Sequence, residues 1–216
     1  RDLHSFPTRR SSDLIKFKFK IGMNKQISFI LKCSFLFGCL VISFSLVGFI
    51  LDAEKTPKAF KFVNPIEVLR FLSIEHFAGH IVWGLMVGFV TLSFRYIILT
   101  GFFAILVDAD NLLKILGLEE SFRMAHSIPF GILAAVVMML VFGRKDWRLA
   151  AISFGAILTH ISFDIISGRS GSFRIFSPFY IENIYFQEFY WIIFLLAGFI
   201  LVGIVTFFTR HKQQVA

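Results

Sequence analysis

Residues 149–166 read LAAISFGAILTHISFDII, and this stretch decides the fold. It is long and apolar enough to cross a bilayer, at about 1.5 Å per residue against about 30 Å of hydrocarbon. It nevertheless carries His160 and Asp164 near its end. At i and i+4 the two lie about 40° apart on one helix face, so both can reach a single point. Ionisable groups at membrane depth are costly, and they mark a functional site by default.

The same pattern recurs on both sides of this run. Apolar stretches lie at 33–51, 76–94, 96–107, 127–142 and 189–208, which makes an all-α, polytopic membrane bundle of about six transmembrane helices. The third run is short, about 18 Å before Asp108 interrupts it. Ser127 is suited to cap the fourth, with Pro129 in its first turn. Threaded as a hairpin series, the runs bring His76, His80, Asp108, Asp110, His126, His160 and Asp164 out on one side. That co-facial placement follows from hairpin parity alone.

Composition agrees. The chain has 216 residues, 56% hydrophobic and 17% charged, with a mean hydropathy of +0.76. Soluble domains average about 45–50% apolar and about 25% charged, so the balance belongs to a membrane protein whose partners are lipids. The net charge of +8 does not indicate nucleic acid, because the basic residues are scattered over short loops and termini. Cys33 and Cys39 fall in one helical run, about 120° apart and roughly 9 Å along its axis, which excludes a mutual disulfide. Two cysteines also make no zinc framework.

Domain boundaries follow from these runs. Arg1 through Leu14 resembles a translated sequencing adaptor, so residues 1–22 are set aside and Met23 is read as the natural start. Sixteen basic and twelve acidic residues then remain, a net charge of +4. Residues 23–52 form an uncleaved anchor. Residues 53–75, with Pro57 and Pro65, form a connector in which 66–72 is expected as a short interfacial helix. Residues 76–209 carry the site, and 210–216 are a tail. Loop Lys and Arg divide evenly between the two faces, but the dense clusters sit in the short loops that share a side with the N-terminus. This favours a cytoplasmic N-terminus and an extracytoplasmic site face.

The constellation is ligand chemistry. His and carboxylate without thiolate suit a divalent ion in a hydrolytic role, zinc first and manganese next, better than a closed structural zinc site. Asp108 and Asp110, at i and i+2, would stand about 160° apart on a regular helix. Both can serve one site only if the helix ends or unwinds there. Ser127, Thr159 and Ser162 are candidate supporting partners of the ligands. Asp108, His126 and His160 are the residues expected to carry the reaction, and a spare carboxylate could act as general base. His76 is the weakest member, expected to be solvated one turn before His80, and Glu75 and Glu119-Glu120 are expected to be solvated loop charges. Arg169 and Arg174, in the loop on the same side, are candidate contacts for a phosphate or lipid headgroup. The aromatic stretch 173–191 is expected to be an interfacial belt.

Ala78-Gly79-His80, Val107-Asp108-Ala109-Asp110-Asn111, Ala125-His126-Ser127, Thr159-His160 with Asp164, and Ser177-Pro178-Phe179 occur in this order at the helix ends. In this the chain resembles the YdjM-like family of inner-membrane, metal-dependent hydrolases, over about residues 78–179. The resemblance implies a multi-pass helical hydrolase with His80, Asp108, Asp110, His126, His160 and Asp164 as the metal set. Two positions depart from the family's P-D-x-D-H: Val107 replaces the proline and Asn111 the last histidine. Either that ligand is lost, or Asn111 substitutes through its amide oxygen or supports the ligands from behind.

Two other readings use the same residues. A CAAX-type intramembrane protease would use Phe122 with His126 and His160 with Asp164, but it leaves Asp108 and Asp110 idle. A non-enzymatic membrane protein, such as a divalent-ion transporter, should hold its ligands near the midplane on broken helices.

Overall fold

The computed structural model describes residues 11–53, 73–115, 124–143, 146–168, 171–180 and 182–215. The expected interfacial helix at 66–72, the Glu119-Glu120 pair, Phe122 and Arg169 lie outside them. The fold is all-α. Its principal helices are α1 (Ser11–Ala53), α2 (Ile74–Phe89), α3 (Phe94–Leu106), α4 (Ile128–Phe142), α5 (Trp147–Ile166) and α6 (Tyr190–Val215). Two 3₁₀ turns, Val107–Asn111 and Met124–His126, and one α-helical turn, Leu112–Ile115, complete the described helical elements. Within the loop after α5, Ser172–Phe173 pairs antiparallel with Ile184–Tyr185.

Three segments are long and apolar enough to cross a membrane: Met23–Gly48 in α1, Trp147–Ile166, and Tyr190–His211 in α6. The chain is therefore a membrane protein. The other three expected spans are shorter helices of 16, 13 and 15 residues. The second run ends early because the Thr91 hydroxyl donates to Gly88 O at 2.7 Å and closes a turn ahead of α3.

The stretch that decided the fold is the bundle's axis. α5 packs against α2, α3, α4 and α6, and 83% of its span is buried inside the protein. Small residues make this possible. Ala150, Ala151, Gly155 and Ala156 admit neighbouring backbones, the usual basis of helix association where lipid offers no hydrophobic drive. Two of its hydroxyls are satisfied within the helix, Ser153 donating to Leu149 O at 2.7 Å and Thr159 to Ala156 O at 2.9 Å. α2 and α3 approach still more closely: a Cβ on Gly84 would lie 2.6 Å from Thr100 O, and one on Gly88 would lie 2.8 Å from Thr100 Oγ1. This Gly-x-x-x-Gly seam fixes α2 against α3. α1 closes the far side, Phe37 stacking on Phe103 of α3 at 4.2 Å.

Candidate metal centre

Each helix end that meets the centre is fixed by a local device. The backbone N–H of His76 donates to the Ser73 hydroxyl at 3.3 Å, starting α2 just ahead of its two histidines. α3 does not continue through the aspartates but tightens to 3₁₀ over Val107–Asn111. This meets the condition that the i, i+2 spacing imposed on Asp108 and Asp110. Ser127 caps α4, its hydroxyl accepting from Phe130 N at 3.3 Å and donating to Met124 O at 2.6 Å. That cap holds His126 at the mouth of the bundle.

Four imidazoles and two carboxylates then converge. His76 Nε2 is 3.1 Å from Asp108 Oδ2 and 3.0 Å from His80 Nε2. His80 Nε2 is 3.5 Å from Asp108 Oδ2 and 3.3 Å from Asp164 Oδ1. On the other side, His160 Nε2 is 2.9 Å from His126 Nε2 and 3.4 Å from Asp164 Oδ2. His80 and His160 are fully buried, and their rings stack 3.9 Å apart. Three overlapping triads, His76/His80/Asp164, His80/Asp108/His160 and His126/His160/Asp164, each bring their ligand atoms within 4.8 Å of one another.

These spacings fit a cation. Ligands about 2.0–2.2 Å from one ion stand roughly 3.0–3.5 Å from each other. The protonation pattern fits too. His160 Nδ1 lies 2.7 Å from Ala104 O, and a carbonyl can only accept, so the ring proton sits on Nδ1 and the Nε2 lone pair points into the cluster. Behind His126, Nδ1 faces Asp110 Oδ2 at 3.5 Å. His126 Nε2 stands 2.9 Å from His160 Nε2, close enough for both nitrogens to ligate one ion. Carboxylate or carbonyl behind a histidine is the usual support of a metal-ligating imidazole.

The structure brings together His80, Asp108, His126, His160 and Asp164, as the sequence led one to expect. His76 corrects an expectation: it is buried, not solvated, with its imidazole on Asp108. The Phe163 ring encloses it, 5.9 Å from His76 and 4.8 Å from His80. That ring fits only because residue 79 is glycine, where a Cβ would lie 1.9 Å from the ring. Glu75 is exposed, as expected.

Asp110 differs from its expected place among the ligands. It sits behind His126 and accepts from the Ser45 hydroxyl at 3.4 Å. Asn111 takes a supporting place, its amide nitrogen donating to Asp108 O at 3.0 Å and Asp108 Oδ1 at 3.1 Å. The amide oxygen is not the atom turned to Asp108. Ser127 and Thr159 correct the expected support, since Ser127 caps α4 and Thr159 donates to Ala156 O at 2.9 Å within its own helix. Ser162 instead accepts from Trp83 Nε1 at 3.2 Å and donates to Trp191 O at 2.8 Å. Arg174 is half-buried in the loop, which turns back through Phe179 N and Tyr180 N bonded to Phe176 O. That loop covers the centre, Ile128 N donating to Ile175 O at 2.8 Å and the Phe173 ring lying parallel to His126.

Sequence reasoning missed Ser45. Its hydroxyl also accepts from Ala125 N at 3.3 Å, so α1 ties together the two 3₁₀ turns that carry Asp110 and His126. A lone serine in an apolar run gives no signal of this. No protein-family model, no curated protein and no solved structure matches the chain.

Proposed function

We propose that this protein is a multi-pass, metal-dependent hydrolase of the bacterial inner membrane, with its centre on the extracytoplasmic face and a phosphoester or lipid as substrate. The observation that carries the reading is the His160 imidazole. Its proton is committed to Ala104 O, and its free nitrogen is aimed at His126 and Asp164. The order of the His and Asp motifs, which resembles the YdjM-like hydrolases, supports the same reading. Zinc is the first candidate ion and manganese the second.

When bound, a divalent cation lowers the pKa of coordinated water to about 7 and polarises a phosphoryl or carbonyl oxygen. His76, His80, His126, His160, Asp108 and Asp164 are the residues that would hold it. Asn111 keeps the Asp108 carboxylate turned inward, and Asp110 does the same for His126. Phe163 and Phe173 exclude bulk water from the imidazoles, which strengthens every electrostatic contact inside. Arg174 supplies positive charge for an anionic headgroup, and Arg169, outside the described residues, is the second candidate for that role.

The test is release of inorganic phosphate or lipid headgroup from mixed micelles of phosphorylated lipids, assayed with zinc or manganese. The reading predicts activity that chelation removes and the same metal restores, and none in Asp108→Ala. Metal-loaded, folded protein that turns over no phosphoester or lipid ester across the panel would contradict it and leave an ion-binding membrane protein.

A further inference from the structure

The two oxygens of Asp108 face different histidine pairs. Oδ2 is its nearer oxygen to His76, at 3.1 Å, and to His80, at 3.5 Å. Oδ1 is nearer to His126 and to His160, at 3.8 Å each. Asp164 repeats the division from the opposite side of the cluster. Its Oδ1 faces His76 at 3.9 Å and His80 at 3.3 Å, while its Oδ2 faces His160 at 3.4 Å. Asp108 thus presents one oxygen to each pair of imidazoles, and Asp164 presents one to the first pair and the other to His160 of the second. Within each pair the Nε2 atoms are about one ligand edge apart, 3.0 Å and 2.9 Å.

A single ion leaves this division without a purpose, because an ion seated at either pair meets only one oxygen of each carboxylate. Two ions use every atom. A carboxylate that binds through both oxygens spans ions about 3.5–4 Å apart, the separation at which two metals clamp an in-line displacement.

We propose that the centre is binuclear: His76 and His80 hold one divalent ion, His126 and His160 hold a second, and Asp108 and Asp164 bridge them. This rests on the metal-binding reading above and deepens it. It also gives His76 a role as a ligand, which neither its sequence position nor the resemblance assigned.

The experiment loads the full-length protein in detergent with manganese, counts metal per chain by inductively coupled plasma mass spectrometry, and records the electron paramagnetic resonance spectrum. The expected result is two equivalents with the spectrum of an exchange-coupled pair. The paired substitution His76→Ala/His80→Ala should retain one equivalent with the hyperfine pattern of an isolated ion, and His126→Ala/His160→Ala should do likewise. The wild-type spectrum decides the matter even if neither variant folds. One equivalent with an isolated-ion spectrum would overturn the binuclear site and leave the metal-binding reading standing. Two equivalents without coupling would overturn the bridging carboxylates. No bound metal would overturn both readings.

Discussion

The bundle has a polar cluster at each end, and the two are built on opposite principles. At the end where α3 and α5 begin, Tyr96 donates to both Asp146 oxygens at 2.8 Å, and the Arg95 guanidinium donates to the Tyr96 oxygen and lies 3.8 Å from Asp146. Asp146 also caps α5, accepting from Leu149 N at 3.0 Å. Nearby, Arg148 donates to Thr209 at 2.7 Å and Arg210 to Thr91 O at 2.7 Å. The Tyr96, Arg148 and Arg210 donors there each find an acceptor within the protein. At the other end the inward-facing atoms are imidazole nitrogens and carboxylate oxygens, gathered within 4.8 Å of one another in overlapping triads. A cluster whose donors and acceptors match one another is an anchor. A cluster of converging ligand atoms asks for a cation from outside.

The sharpest way to break this contrast is Asp108→Ala, which removes the carboxylate shared by both histidine pairs. Zinc affinity, measured against a competing chelator, should fall by more than about 100-fold, beyond the range of supporting-residue substitutions. Retained affinity would show that the converging ligand atoms do not form the binding site.

A smaller effect is expected from the residues behind the ligands. Asn111→Ala frees Asp108 to rotate, and Asp110→Ala leaves His126 without its carboxylate. Each should weaken zinc by about 10–100-fold in the same titration, with unchanged stoichiometry at saturation. If Asn111→Ala bound zinc as tightly as wild type, its hydrogen bonds to Asp108 would be incidental.

At the anchoring end the signs reverse. Asp146→Ala should lower stability to denaturation by about 1–3 kcal/mol, through the lost cap and an unpaired Tyr96 hydroxyl, while zinc affinity stays unchanged. A drop in zinc affinity would mean that the two ends are coupled through α5. Ser45→Ala should do least, under about 1 kcal/mol in stability, with a smaller loss of zinc affinity than Asp110→Ala. Equal losses in those two variants would place the support of the centre in α1.

Which parts of this were legible in the sequence follows from how local each feature is. The all-α membrane fold is written in the apolar runs, and hairpin parity alone gathers His80, Asp108, His126, His160 and Asp164 at one end. The unwinding at 107–111 was legible as a requirement, because two aspartates at i, i+2 cannot share a site on a regular helix. His76 was not legible. Its burial depends on Phe163, which arrives from α5 and fits only over Gly79. Of the supporting set only Asn111 was legible, since Ser127 and Thr159 spend their hydroxyls on their own backbones and Ser45 acts across helices. The Gly84-x-x-x-Gly88 seam was available in the sequence as a packing signal. It explains how two short helices hold their place in the bundle.

The central claim is that the cluster exists to hold metal, and metal content tests it most directly. Detergent-purified protein, wild type beside His160→Ala, would be equilibrated with zinc and with manganese, freed of loose ions, and analysed by inductively coupled plasma mass spectrometry. The account predicts tightly held divalent metal in the wild type and its loss in the variant, with both proteins equally helical by circular dichroism. Folded wild-type protein that retains neither ion would contradict it, and would make the converging histidines and aspartates a hydrogen-bonded core.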